Sequence, residues 1–136
     1  KDIDEIWQAY FDATEAMASS GKFDVVGHLD LIKVFKFMPK KDVRLLAQAS
    51  LQAIKKSNMV LEINTAGLRK PVGEMYPSRQ LLEEAYALDI PITFSSDAHA
   101  VNQIGLGYDL ATALAKDIGY TQAVSFRKRD KEMITF

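Results

Sequence analysis

The sequence predicts an α/β fold in which parallel strands alternate with helices, and three observations predict it. Short apolar, β-branched runs recur at "FDVVGHLD" (23–30), "MVLEINTAG" (59–67) and "IPITFSSDAH" (90–99). Segments with apolar residues at helical spacing separate them. Polar side chains gather at the end of every run. Strands spaced by helices of roughly 10 to 17 residues form βαβ units, which build a parallel sheet. In such folds, open or closed into a barrel, ligands sit at the carboxyl ends of the strands.

Each element can be justified in order. Residues 2–20 place Ile3, Ile6, Trp7, Tyr10, Phe11 and Met17 at helical spacing, and Ser19-Ser20-Gly21 ends that helix. The first strand runs into Gly27-His28. Residues 41–57, "KDVRLLAQASLQAIKKS", form the clearest amphipathic helix, with Val43, Leu46, Ala47, Ala49, Leu51 and Ile54 mostly inward. The second strand covers 59–67. Residues 77–88 form a helix with Pro77 near its start, where the missing N–H is tolerated. The third strand follows, then a helix from Gly107 to Ile118. The closing "QAVSFRKRDKEMITF" reads as a pair of strands around the charged turn "KRDK". The sequence shows no repeats, linkers or low-complexity segments.

Composition narrows the function classes. The 136 residues carry 17 basic and 18 acidic side chains, a net charge of -1. That balance gives no electrostatic footprint for nucleic acid or an anionic membrane. No segment approaches the ~18 apolar residues of a membrane span, and the opening "KDIDEIWQAY" lacks the pattern of a signal peptide. The expected compartment is the cytoplasm. Without cysteine there is no disulfide and no thiolate metal site, so any metal must be held by His, Asp, Glu, carbonyls or water.

The strand ends hold the candidate chemistry. The first gives Gly27-His28-Leu29-Asp30; the second gives Glu62, Asn64 and Thr65, then Gly67-Leu68-Arg69-Lys70; the third gives Asp97 and His99. Both histidines of the chain therefore stand where parallel-sheet enzymes keep their chemistry. In extended backbone, residues two apart share a side, so Asp97 and His99 project together. A carboxylate and an imidazole converging on one spot suit a divalent cation of Zn, Mn or Fe type. Plainer readings exist for each feature alone: a structural histidine, an Asp97 that caps a helix, an Arg69 that is a solvated loop charge. Taken jointly, the strand-end placement favours a site.

These residues also resemble a known family. "FDVVGHLDLIKVF", "LEINTAGLRKPVGEMYPS" and "ITFSSDAHA" look like consecutive blocks of the PHP (polymerase and histidinol phosphatase) metal-dependent hydrolases. The similarity runs in order from about Tyr10 to the C-terminus, and its nearest branch is the histidinol-phosphate phosphatases of histidine biosynthesis. The resemblance implies a distorted seven-stranded (β/α) barrel, TIM-like, with a two- or three-metal cluster of divalent ions at the strand carboxyl ends. It implies that His28, Asp97 and His99 are metal ligands. Arg69 matches a residue that holds the substrate phosphate, a task its forked guanidinium suits. Asn64 is expected to hydrogen-bond the phosphate, a metal-bound water or a ligand. Glu62 points the same way as Asn64 but is read as closing the barrel interior, outside the site. Asp97 or His99 is the expected proton shuttle to the leaving alkoxide.

The implied activity is hydrolysis of a phosphate monoester, L-histidinol phosphate foremost. The chain departs from the family in lacking its opening His-x-His strand and further His and Glu ligands. Three candidate ligands are too few for a cluster needing four to six per metal. A barrel of this kind takes ~250 residues. The expectation is therefore that residues 1–136 are the C-terminal portion of a single PHP-type phosphatase domain, inactive alone, with self-association or further chain covering its sheet edges. The alternatives are a PHP-fold binding or regulatory module without catalysis, and another PHP hydrolase such as a nuclease, which the neutral charge disfavours.

Overall fold

The computed structural model describes residues 2–35, 37–95, 107–127 and 130–136, with the Arg127 side chain left aside. Helix α1 covers Ile3–Ser19 and begins at Asp2, whose side chain accepts the Asp4 N–H. Such a cap satisfies one of the orphan donors of the first turn. Trp7, Phe11 and Ala18 are its buried face. Helix α2, Val43–Lys56, is capped in the same way by Asp42 and buries Leu46, Ala47, Ser50, Leu51 and Ile54. The two helices pack together, and the buried Ser50 hydroxyl donates to the Phe11 carbonyl at 2.6 Å. A large apolar side chain buried here, such as Phe11, contributes about 2 kcal/mol.

Strands β1 (Val25–Val26), β2 (Val60–Asn64) and β3 (Ile92–Ser95) form a parallel sheet in the order β1-β2-β3. The register pairs Val26 with Leu61, Ile63 with Phe94, and Asn64 with Ser95. Chain order and spatial order agree, so successive units wind in one direction, as they do around a barrel. The central strand is buried at Val60, Leu61, Ile63 and Asn64, and only Glu62 is half-exposed. Helix α3 (Arg79–Ala87) returns the chain to β3, and α4 (Tyr108–Ile118) precedes an antiparallel hairpin. The hairpin joins β4 (Gln122–Arg127) to β5 (Asp130–Thr135) as a separate two-stranded sheet. Phe136 seats it by meeting Phe94 edge-on, with ring centroids 5.4 Å apart. No helix among the described residues is long and apolar enough to cross a membrane.

Three expected boundaries are corrected. The first strand, expected over 23–30, keeps only Val25–Val26, because His28 has φ of 26° and turns the chain out of extended geometry. The second, expected to run to Gly67, ends at Asn64, whose side chain caps a 3-10 helix over Thr65–Arg69. The helix expected from Pro77 begins at Arg79; Ser78 is its N-cap, and Pro77 stands outside it.

Candidate active site

The carboxyl ends of β1 and β2 build one mouth from short-range geometry. His28 leaves β1 half-buried, with its ring edge-on to Tyr76 at a centroid distance of 6.2 Å. Tyr76 is held there by its backbone. Its N–H donates to the Asn64 carbonyl at 2.9 Å, and its carbonyl accepts the Asn64 N–H at 2.7 Å. The loop leaving β2 therefore folds back onto the strand end beside His28. Gly67 permits that return, since a Cβ there would overlap the Glu74 carbonyl.

Asn64 is fully buried. Its Oδ1 accepts the Ala66 N–H at 2.8 Å, and its Nδ2 donates to Glu62 Oε1 at 3.0 Å. Both ends of the amide are thus engaged with protein. Through the first bond Asn64 opens the 3-10 helix whose last residue is the half-buried Arg69. The same Glu62 oxygen accepts the His28 backbone N–H at 2.9 Å. Glu62, which the sequence reading placed outside the site, therefore touches both strand ends.

A second group lies beneath the mouth. Lys33, on the 3-10 helix Leu31–Phe35, is almost wholly buried and donates to the Met75 carbonyl at 2.6 Å. Its ammonium reaches Asp30 Oδ2 and Glu74 Oε1, each at 3.0 Å, and lies 5.2 Å from the centre of the Tyr76 ring. Burial pushes the Asp30 carboxyl above its ordinary range, with Lys33 and the Ser78 N–H opposing that shift. Burial and the nearby Asp30 also raise the Tyr10 phenol. Asp30, Lys33, Glu74 and Ser78 line a cleft of about 430 Å³ that reaches Trp7 and Lys41. Sequence reasoning missed Lys33. The available signal was a lysine between Ile32 and Val34 three residues after Asp30, a spacing that pairs on a helical turn.

Asp97 and His99 lie outside the described residues. The residues that flank them can be placed. Ser95 pairs with Asn64 in the sheet register. Gly107, with φ of 77°, is packed so closely that a Cβ would stand 2.7 Å from Leu68 Cδ1 and 3.2 Å from Thr65 Cβ. Both flanks are therefore at the carboxyl end of β2. Among the described residues, no group of three His, Asp or Glu side chains is arranged to hold a metal ion.

Comparisons with known proteins fit this architecture. A family model described as PHP domain matches residues 1–66. A probable histidinol-phosphatase of Deinococcus radiodurans is 36% identical over 129 residues, which span 95% of this chain and 48% of that protein. The structure of a putative histidinol phosphatase from Listeria monocytogenes is 30% identical, with a TM-score of 0.66 over 79% of this chain and 44% of the other. A histidinol phosphate phosphatase from Lactococcus lactis, solved with zinc, L-histidinol and phosphate, is 23% identical. It superposes with a TM-score of 0.76 over 97% of this chain and 52% of its own. The chain thus spans about half the length of the proteins it matches. With the parallel β1-β2-β3 order, the strand-end mouth and these similarities in hand, the conclusion is that the chain belongs to the PHP domain family.

Proposed function

We propose that this chain contributes to a metal-dependent phosphate monoester hydrolase of the histidinol-phosphatase type, converting L-histidinol phosphate and water to L-histidinol and phosphate. The observation that carries the reading is the pairing, at one mouth, of an imidazole-bearing strand end with a turn that ends in arginine. The relatives named histidinol-phosphatase support the substrate.

His28, Asp97 and His99 would hold divalent ions of Zn, Mn or Fe type. The donor set of imidazole and carboxylate without thiolate fits such ions, and the half-buried His28 is held at a strand end. The position of Ser95 and Gly107 at the β2 end supports Asp97 and His99 as members of the same site. A bound ion supplies Lewis acidity toward phosphoryl oxygens and lowers the pKa of water. Arg69 binds the phosphate dianion through two parallel N–H bonds and fixes its orientation. Asn64 acts by holding the Arg69 turn, since its amide is engaged within the protein. Water oxygen bonds to phosphorus as the bond to the alcohol oxygen breaks, and the proton that the water gives up passes by way of Asp97 or His99 to the leaving alkoxide.

The test uses the complete natural protein supplied with zinc, and measures phosphate release from L-histidinol phosphate. Turnover that is lost in His28→Ala with retained fold supports the proposal. Turnover that is absent in the metal-loaded wild type, or unchanged in His28→Ala, refutes it.

A further inference from the structure

We infer that Glu62 is a positioning residue that fixes the candidate metal ligand and the candidate phosphate ligand relative to each other. The inference rests on the reading of His28 and Arg69 given above. One carboxylate oxygen, Glu62 Oε1, accepts the His28 backbone N–H at 2.9 Å and the Asn64 Nδ2–H at 3.0 Å.

The His28 bond acts where the backbone needs it. A φ of 26° is a sparsely populated conformation for a residue with a side chain, and it persists only when neighbours enforce it. That conformation decides where the imidazole points. The glutamate also packs beneath the turn: a Cβ on Gly27 would lie 3.4 Å from Glu62 Oε1, ordinary contact distance. The Asn64 bond acts on the other strand. With Nδ2 held by Glu62, Oδ1 faces the Ala66 N–H at 2.8 Å and starts the turn that ends at Arg69. Two hydrogen bonds therefore connect a single oxygen to the turn that presents the guanidinium, and one connects it to the backbone of His28, from which the imidazole projects.

The experiment measures zinc affinity, by competition with a chromophoric chelator, and inorganic phosphate affinity, by calorimetry, in the complete natural protein. Glu62→Ala should weaken zinc about 10–100-fold, the usual cost of losing a group that orients a ligand, and should weaken phosphate as well. Glu62→Gln keeps the accepting oxygen and should restore both affinities. Wild-type affinities in Glu62→Ala would overturn the inference. So would a folded Glu62→Gln as weak as Glu62→Ala, because charge rather than acceptance would then matter. His28→Ala separates the two levels: unchanged zinc affinity there removes the metal reading and this inference with it. Zinc weakened in His28→Ala but not in Glu62→Ala removes the inference alone. If circular dichroism shows Glu62→Ala unfolded, Asn64→Asp takes its place. It keeps the Ala66 cap but cannot donate to Glu62, so phosphate should weaken, and unchanged phosphate binding overturns the inference.

Discussion

The Lys33 ammonium and the Asp30 carboxylate meet at 3.0 Å with both side chains almost wholly buried. Asp30 Oδ2 also accepts the Ser78 N–H at 2.9 Å, and Lys33 reaches Met75 and Glu74. One buried pair thereby ties the turn after β1 to the loop after β2, the two segments that carry His28 and Arg69. Breaking a buried pair strands a charge and costs about 3–5 kcal/mol, whereas replacing both partners costs much less. Lys33→Met should lose about that amount in urea unfolding, and Lys33→Met with Asp30→Asn should regain part of it. A Lys33→Met protein as stable as wild type would show that the pair is not braced as described.

Gly67 marks the closest approach in the β2 loop. Gly67→Ala forces its new Cβ onto the Glu74 carbonyl, so the loop must shift. Overpacking of this kind costs about 1–3 kcal/mol. Because Arg69 follows two residues later, phosphate affinity should fall along with stability. Calorimetric titration with inorganic phosphate checks this, and unaltered binding would place the strain away from Arg69.

Arg69→Ala should raise KM for a phosphate monoester roughly 10–100-fold, the equivalent of losing about 1.5–3 kcal/mol of hydrogen bonding to a charged group. Its thermal midpoint should stay near wild type. Arg69→Lys should recover only part of the affinity, since an ammonium lacks the planar fork. Steady-state kinetics on the complete protein decide it; unchanged KM removes Arg69 from the site.

The acid limb of stability should carry a contribution from Asp42. The Arg44 guanidinium forks onto its carboxylate, Nε to Oδ1 at 3.0 Å and Nη2 to Oδ2 at 2.6 Å, and the Arg44 backbone N–H donates to Oδ1 at 2.9 Å. These bonds hold the carboxyl down at about 2, below its ordinary 3.8. A carboxyl depressed in the folded state stabilises fully above its unfolded value and loses that contribution as pH falls through about 2. The pair is exposed, so the effect is small. Asp42→Asn should keep the cap at α2 while flattening this part of the acid-unfolding curve. An acid limb identical to wild type would contradict the assignment.

The 136-residue chain should self-associate. Phe35, Phe37, Met38 and Leu45 expose large apolar surface, and β1 and β3 each pair only with β2 among the described residues. Open strand edges and apolar patches invite pairing. Analytical ultracentrifugation should find mass above the 15.2 kDa of one copy at micromolar concentration. A strictly monomeric chain would sink this expectation.

Local sequence determined which elements form. Helical periodicity placed α1 and α2 within two residues of where they are found, and the charged turn marked the closing hairpin. Alternation of strands and helices determined a parallel sheet, and the polar strand ends marked His28 and Arg69. These are short-range signals, carried by side-chain period and by the backbone's need for caps. The tertiary structure decided what each polar group does. β1 shrank to two residues because His28 turns the chain, and Asn64 turned inward to cap a turn. Glu62 joined the site through a bond to a residue 34 positions earlier, and Lys33 was drawn into a buried cluster with Glu74 from 41 positions away. No periodicity encodes such partners. Burial raises the cost of an unpaired polar group until it finds a partner, and which one is within reach depends on how β1 and β2 lie side by side.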